Sequence, residues 1–458
     1  MKTRSLVCTI FALALSASPI YAQSASAPAG LPKTDPEDLL SQVTRLKGLK
    51  LVANSAPQPP TDAYCRSNFG FPCYGPLEMQ TAYGLAPTLS AGYTGAGQTI
   101  VIVDSFGSPT IENDLKTFDA GYGLPDPPSF TVLAPLGKVP FNPNNNAHVN
   151  WAFETTLDVE WAHAMAPGAS IVLLTSPVDE TEGTQGLPEF LSLEQYALSH
   201  HLGQIISQSW GATENTLFTP QGFQVMNALE NFYQQAAGQN ITVLVSSGDS
   251  GVSNVDANGQ PYPNPTVLFP ASSPFVTAVG GTTLFADTNG NYQSEIVWNN
   301  SPGASGGGVS QQFSEPSYQN ALPASVQTTL AGHRGIPDVA YNADGNTPVV
   351  IYAGFYPNPK NRGFYVQGGT SAGPPQWAGI IAVANQYAGH ALGFLNPSLY
   401  SLAASNPQDL HDITTGNNGF NGIPGYNATP GWDFATGWGT PIASSLIQQL
   451  ASLSVKPQ

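Results

Sequence analysis

Gly368-Gly369-Thr370-Ser371-Ala372-Gly373-Pro374-Pro375-Gln376-Trp377-Ala378-Gly379 joins two apolar segments of different period. Phe364-Tyr365-Val366 before it reads as a strand, and Trp377 to Tyr387 after it, rich in Ala, Ile and Val, reads as a helix. The paired glycines permit a tight turn and leave room for a second chain to approach. Ser371 then falls at or near a helix N-terminus, where free N–H groups and the helix dipole favour developing negative charge. A nucleophilic hydroxyl that leaves an oxyanion behind suits such a place. A plain Gly/Thr/Ser helix cap satisfies the same string.

Outward from this turn, apolar runs alternate with helical segments. The runs are Thr99 to Val103, Ser170 to Leu174, Gln204 to Ser207, Thr242 to Val245 and Phe275 to Val279. Several are continuous rather than alternating, as strands buried on both faces are. Helices are predicted over about Asn150 to Ala164, Phe190 to His200 and Gln221 to Ala237. The pattern predicts an α/β fold with a parallel β-sheet and helices on both faces. Functional groups in such sheets gather at the carboxyl ends of the strands.

The first 22 residues have the form of a secretory signal peptide: Lys2 and Arg4, an apolar run from Leu6 to Leu15, then Ile20-Tyr21-Ala22. Residues 23–60 read as a short leader and linker, with a weak amphipathic helix from Pro36 to Leu49 and a close at Ala56-Pro57-Gln58-Pro59-Pro60. Residues 61–458 read as one large domain. In an exported chain, Cys65 and Cys73 are expected to pair. Charged residues make up only 9% and the formal net charge is −17, which argues against nucleic acid and anionic membranes as partners. Beyond the signal no membrane segment is expected. A surface of neutral polar groups changes little in charge as pH falls, which suits an acid-tolerant protein.

A serine nucleophile needs a base. The seven histidines are scattered, and none has the setting expected of a catalytic imidazole. Glu154-Thr155-Thr156-Leu157-Asp158 offers an alternative: on a helix, positions i and i+4 share a face. Two adjacent carboxylates tend to share one proton, and such a pair serves as a base in acid. The ordinary alternative is a solvated surface pair, but Trp151, Phe153, Leu157, Val159 and Trp161 make this helix apolar on most sides. Asp249, in Ser247-Gly248-Asp249-Ser250-Gly251, follows an apolar strand; it is either an Asx-turn or, if protonated, a donor to an oxyanion.

Taken in order, the motifs resemble the sedolisin family of serine-carboxyl peptidases. They are Glu154…Asp158 with Ala166-Pro167-Gly168-Ala169, Ser207-Gln208-Ser209-Trp210-Gly211, Ser247-Gly248-Asp249-Ser250-Gly251, Phe269-Pro270-Ala271-Ser272-Ser273-Pro274, Ser305-Gly306-Gly307-Gly308, Gly335-Ile336-Pro337-Asp338 and Gly368-Gly369-Thr370-Ser371. The resemblance implies a subtilisin-like fold and acid-active peptide hydrolysis; the expectation is a secreted endopeptidase acting on proteins or peptides, as a monomer. It casts Ser371 as nucleophile, Glu154 as general base, Asp158 as the carboxylate sharing its proton and Asp249 as oxyanion donor. Asp104 and Trp210 stand where some relatives extend this network.

Near the C-terminus, His411-Asp412-Ile413 and Ala428-Thr429-Pro430-Gly431-Trp432-Asp433 are either two ordinary turns or the oxygen-rich loops of a hard cation. The resemblance implies one Ca²⁺ held by the Asp412 and Asp433 side chains and the carbonyls of Ile413, Thr429 and Gly431. It also implies a long folded prodomain, where this sequence shows only the short leader. Two other readings remain at this stage: a catalytically inactive binding protein on the same fold, and a neutral Ser-His-Asp hydrolase.

Overall fold

The computed structural model describes residues 49–54 and 58–453. The signal and the helix predicted from Pro36 lie outside the described residues, apart from Leu49. In chain order the main strands are β1 (Lys50–Asn54), β2 (Thr99–Ser105), β3 (Phe130–Leu133), β4 (Ser170–Ser176), β5 (Ile205–Gln208), β6 (Thr242–Ser246), β7 (Thr277–Ala286), β8 (Tyr292–Val297), β9 (Val339–Asn342), β10 (Val349–Ala353) and β11 (Gly363–Gln367). The main helices are α1 (Ile111–Tyr122), α2 (Asn146–Met165), α3 (Leu187–Ser199), α4 (Pro220–Gly238) and α5 (Gly373–Ala388).

Eight strands form the central sheet in the order β8-β7-β6-β5-β2-β4-β3, with β9 also paired to β7. All neighbours run parallel except β8, which returns antiparallel along β7. The continuous apolar runs are explained by what covers each face. Ile100, Ile102, Ile171, Leu173, Ile205 and Leu244 pack in one core with residues of α2 and α5. Val101, Val103, Leu174, Ile206, Val243 and Val245 pack in a second core with α3 and α4. Period-2 alternation persists, but both faces are apolar because both are covered.

Helix α2 runs through the first core. Asn145 caps it, its side chain accepting from Ala147 N at 2.9 Å. From His148 to Met165 every residue except Asn150 is buried. A helix apolar on nearly all sides is one that other elements surround, so its few acids are held inside the protein. Helix α5 begins at Gly373, earlier than predicted. Pro374 and Pro375 sit in its first turn, where backbone N–H groups have no helical partner to lose.

The strand before the serine turn is β11, but it belongs to a separate antiparallel sheet, β1-β11-β10. Its partner β1 lies in the stretch read as leader, and Leu49 is fully buried in the first core. The folded domain therefore starts before residue 61. Cys65 and Cys73 form a disulfide with Cα atoms 5.8 Å apart, beside the apolar side chains of Val52, Val350 and Phe364.

Candidate active site

Ser371 lies in a short 3₁₀ turn, Thr370–Ala372, that runs straight into α5. Both glycines before it are dictated by space. Gly369 has φ +114°, and a Cβ there would stand 2.9 Å from Asp249 Oδ2; one on Gly368 would meet Gly345 N at 2.6 Å. No side chain fits at either position without moving a neighbour.

The turn opens on a cleft of about 520 Å³ at the carboxyl end of the sheet. Glu154, Ser209, Trp210, Asp249, Thr370 and Ser371 line it, together with Trp151, Asp179 and Glu180. Each arrives from a different element. Glu154 comes from the middle of α2, Ser209 and Trp210 follow β5, Asp249 follows β6, and Asp179 and Glu180 follow β4. Strand ends in a parallel sheet converge in this way. Glu154 is 3% exposed. Asp158, one helical turn on, is fully buried and is tied to the cleft through Ser209, whose hydroxyl lies 3.0 Å from Asp158 Oδ1. The same hydroxyl lies 3.2 Å from the Ser371 carbonyl oxygen.

Asp249 is exposed at the rim, and Thr370 anchors it. Its Oδ1 accepts from Thr370 N at 2.7 Å and from Thr370 Oγ1 at 2.8 Å; Thr370 Oγ1 in turn accepts from Gly248 N at 3.0 Å. A protonated carboxyl accepts through one oxygen and donates through the other. With Oδ1 engaged as acceptor, Oδ2 is the oxygen that would carry a proton. Asp104 is fully buried near the end of β2, and Trp210 Nε1 donates to the adjacent Val103 carbonyl at 3.1 Å.

No histidine lines the cleft among the described residues. His148 is on the same helix as Glu154 but turns away. It stacks on Phe106 with centroids 4.3 Å apart, and its Nδ1 accepts from Asn142 N. Burial lowers its pKa, so it favours the neutral form there.

Sequence reasoning missed four contributors. Ser209 and Thr370 stood inside quoted motifs but received no role, since their partners are remote in sequence. Asp179 and Glu180 carried the available signal, an acidic run just beyond a strand end. Asp179 Oδ1 accepts from Trp151 Nε1 at 2.7 Å. Burial, with Glu182 and Asp179 nearby, pushes the Glu180 carboxyl up to about 8. Among the described residues, no Lys or Arg lines the cleft.

The second candidate site is built from two loops. Asp412 Oδ2 accepts from Gly431 N at 2.9 Å, which brings the two loops together. Asp433 Oδ2 accepts from Thr429 N at 3.0 Å, and its Oδ1 accepts from Ala435 N and Thr436 N. Burial raises the Asp412 pKa, and pushes that of Asp433 up to about 6 despite those hydrogen bonds. Neither carboxylate has a Lys, Arg or His ion-pair partner among the described residues. No group of three or more His, Cys, Asp or Glu side chains poised to hold a metal occurs there either. Two carboxylates on Gly-rich backbone, without a cation, fit a hard ion whose other ligands are carbonyls.

Residues 137–439 match the subtilase family. Over 353 residues the chain is 36% identical to kumamolisin of Bacillus sp. (strain MN-32), covering 75% of this chain and 57% of that protein. Over 360 residues it is 34% identical to sedolisin of Pseudomonas sp. (strain 101), covering 76% and 56% respectively. The chain thus spans a little over half the length of these curated relatives. The solved structure of Pseudomonas sedolisin, a serine-carboxyl proteinase complexed with two molecules of pseudo-iodotyrostatin, superposes with a TM-score of 0.68 at 32% identity. That match covers 83% of this chain and 99% of the other.

Proposed function

The chain belongs to the sedolisin family of serine-carboxyl peptidases, on the subtilase fold, and from that premise we propose that it is an acid-active serine endopeptidase. The observation that supports this best is the convergence of Glu154, Asp249 and Ser371 on one cleft that no histidine lines among the described residues. In this reading Ser371 Oγ attacks the scissile carbonyl carbon and its proton passes to Glu154, which shares protons with Asp158. The carbonyl oxygen becomes an oxyanion that accepts a hydrogen bond from protonated Asp249. Collapse breaks the C–N bond, and Glu154 returns the proton to the leaving amine. Water then hydrolyses the Ser371 ester by the same steps.

The substrates are proteins or peptides, entering an acidic cleft. The Asp412 and Asp433 side chains, with the carbonyls of Ile413, Thr429 and Gly431, would hold one Ca²⁺; its contribution is to order the loops, not to enter the reaction. The signal-like N-terminus and the Cys65–Cys73 disulfide support an exported, extracellular protein. That no histidine among the described residues lines the cleft weighs against the Ser-His-Asp reading, and the complete set of acids and serine against an inactive binding protein.

The test is covalent. A peptide ester mixed with enzyme in acid and quenched should leave an acyl adduct on Ser371, mapped by mass spectrometry. No adduct, or one on another residue, contradicts the reading.

A further inference from the structure

We propose that Ser209 is a positioning residue that holds Asp158 in the orientation for sharing a proton with Glu154 and links that pair to the turn bearing Ser371. The inference rests on the proposed peptidase chemistry and adds a component to it.

The geometry is specific. Ser209 is 8% exposed and Asp158 fully buried. The Ser209 hydroxyl has one hydrogen and two acceptors in reach, Asp158 Oδ1 at 3.0 Å and the Ser371 carbonyl at 3.2 Å. It can donate to only one at a time. When Asp158 is ionised, a charge-assisted bond to the carboxylate is the stronger of the two. When Asp158 takes the proton, the hydrogen is released to the Ser371 carbonyl. The position of one hydroxyl hydrogen therefore follows the proton between the carboxylates, and its second acceptor belongs to the residue being activated.

The chain on either side keeps this hydroxyl in place. Gln208 pairs with Val245 in the sheet, and its side chain contacts the buried Glu194 on the far face. Trp210 is pinned through its indole N–H to the Val103 carbonyl. Ser209 is thus the one polar side chain between two fixed neighbours that faces the reacting groups. Thr370 does the corresponding work for Asp249, so each carboxyl on either side of Ser371 is oriented by a hydroxyl.

Removing a donor from the ionised form makes ionisation harder. The pair must lose its first proton to act as base, so the acid limb of the kcat profile reports that step. Ser209→Ala and Ser209→Cys should move the acid limb to higher pH by roughly half to one unit and lower kcat on the order of 10–100-fold. Ser209→Thr, which keeps the hydroxyl, should restore the wild-type limb. Wild type is measured beside them on the same peptide. A change confined to packing would lower the folded fraction without moving the limb.

Two outcomes overturn the proposal while leaving the peptidase reading intact. One is active wild type with an unmoved limb in the Ala and Cys variants. The other is a Thr variant displaced as far as Ala. If wild type hydrolyses nothing at any pH, the peptidase reading falls and the proposal with it.

Discussion

Glu154 and Asp158 share helix α2 with Glu160 and His163, yet the two sets meet different surroundings. Glu154 faces the cleft of about 520 Å³ beside Ser371. Glu160 turns to a sealed region, where its Oε2 accepts from Tyr352 N at 2.9 Å. Desolvation raises the Glu160 pKa well above the ordinary carboxyl range, with Asp114 and Asp119 adding to it. Burial pushes Asp114 up to about 7 and Asp119 up to about 8, while it drives His163 down to about 4. Burial thus favours the neutral form of both partners in the 3.3 Å approach of His163 to Asp119. The comparison teaches that a buried acid on a buried helix is not by itself a site. Access to a cleft and a nucleophile separates the first set from the second.

The largest expected effect is at the serine. Ser371→Ala should fold normally and lose turnover by on the order of 10⁴-fold or more, and Glu154→Gln by roughly 10³-fold. Glu160→Gln should change kcat by no more than about two-fold in acid, because a carboxamide replaces a group that is already neutral. Steady-state rates on one peptide measure all three. A Glu160→Gln enzyme as impaired as Glu154→Gln would erase the distinction between the two sets.

Acids whose carboxyls burial pushes up should set the pH dependence of stability. Unfolded carboxyls titrate near pH 4. Folded, Asp114, Glu230 and Glu295 titrate at about 7, and Asp119 and Glu180 at about 8. Between those limits the folded chain holds protons that the unfolded chain has lost, so stability falls as pH rises. His163 and His411, pushed down to about 4, act the other way between about pH 4 and 6.5 but are outnumbered. The thermal midpoint should therefore be highest in acid and fall steadily toward pH 8, and Glu160→Gln should reduce that fall. A midpoint that rises from pH 4 to 8 would show that these acids are not buried as described.

A smaller effect is expected from the loops around Asp412 and Asp433. Chelator should lower the thermal midpoint near neutral pH, and Asp433→Ala should reproduce the loss. Metal analysis and melting curves measure this directly. An unchanged midpoint, with no bound calcium, reduces the site to two turns.

Much of the fold was legible because its signals are local. Continuous apolar runs and the Gly-Gly-Thr-Ser turn speak for themselves, and Glu154 and Asp158 lie one helical turn apart. What escaped was long-range. Ser209 meets Asp158 from 51 residues away and Thr370 meets Asp249 from 121, and no periodicity carries such pairings. The place of β11 in a side sheet escaped for the same reason, since pairing with β1 is a property of the folded chain. The helix N-terminus expected at or near Ser371 is there, with α5 starting at Gly373; the apolar run from Trp377 left out only its first turn, which carries Pro374 and Pro375.

The central claim is that carboxylates, not an imidazole, activate Ser371. The most direct test is the pH–rate profile for hydrolysis of a denatured protein from about pH 2 to about pH 8, with wild type and each single histidine variant. The account predicts a maximum in acid, loss of activity by neutrality, and a profile that no histidine replacement moves. A maximum near neutral pH, abolished by replacing one histidine in a folded enzyme, would contradict it.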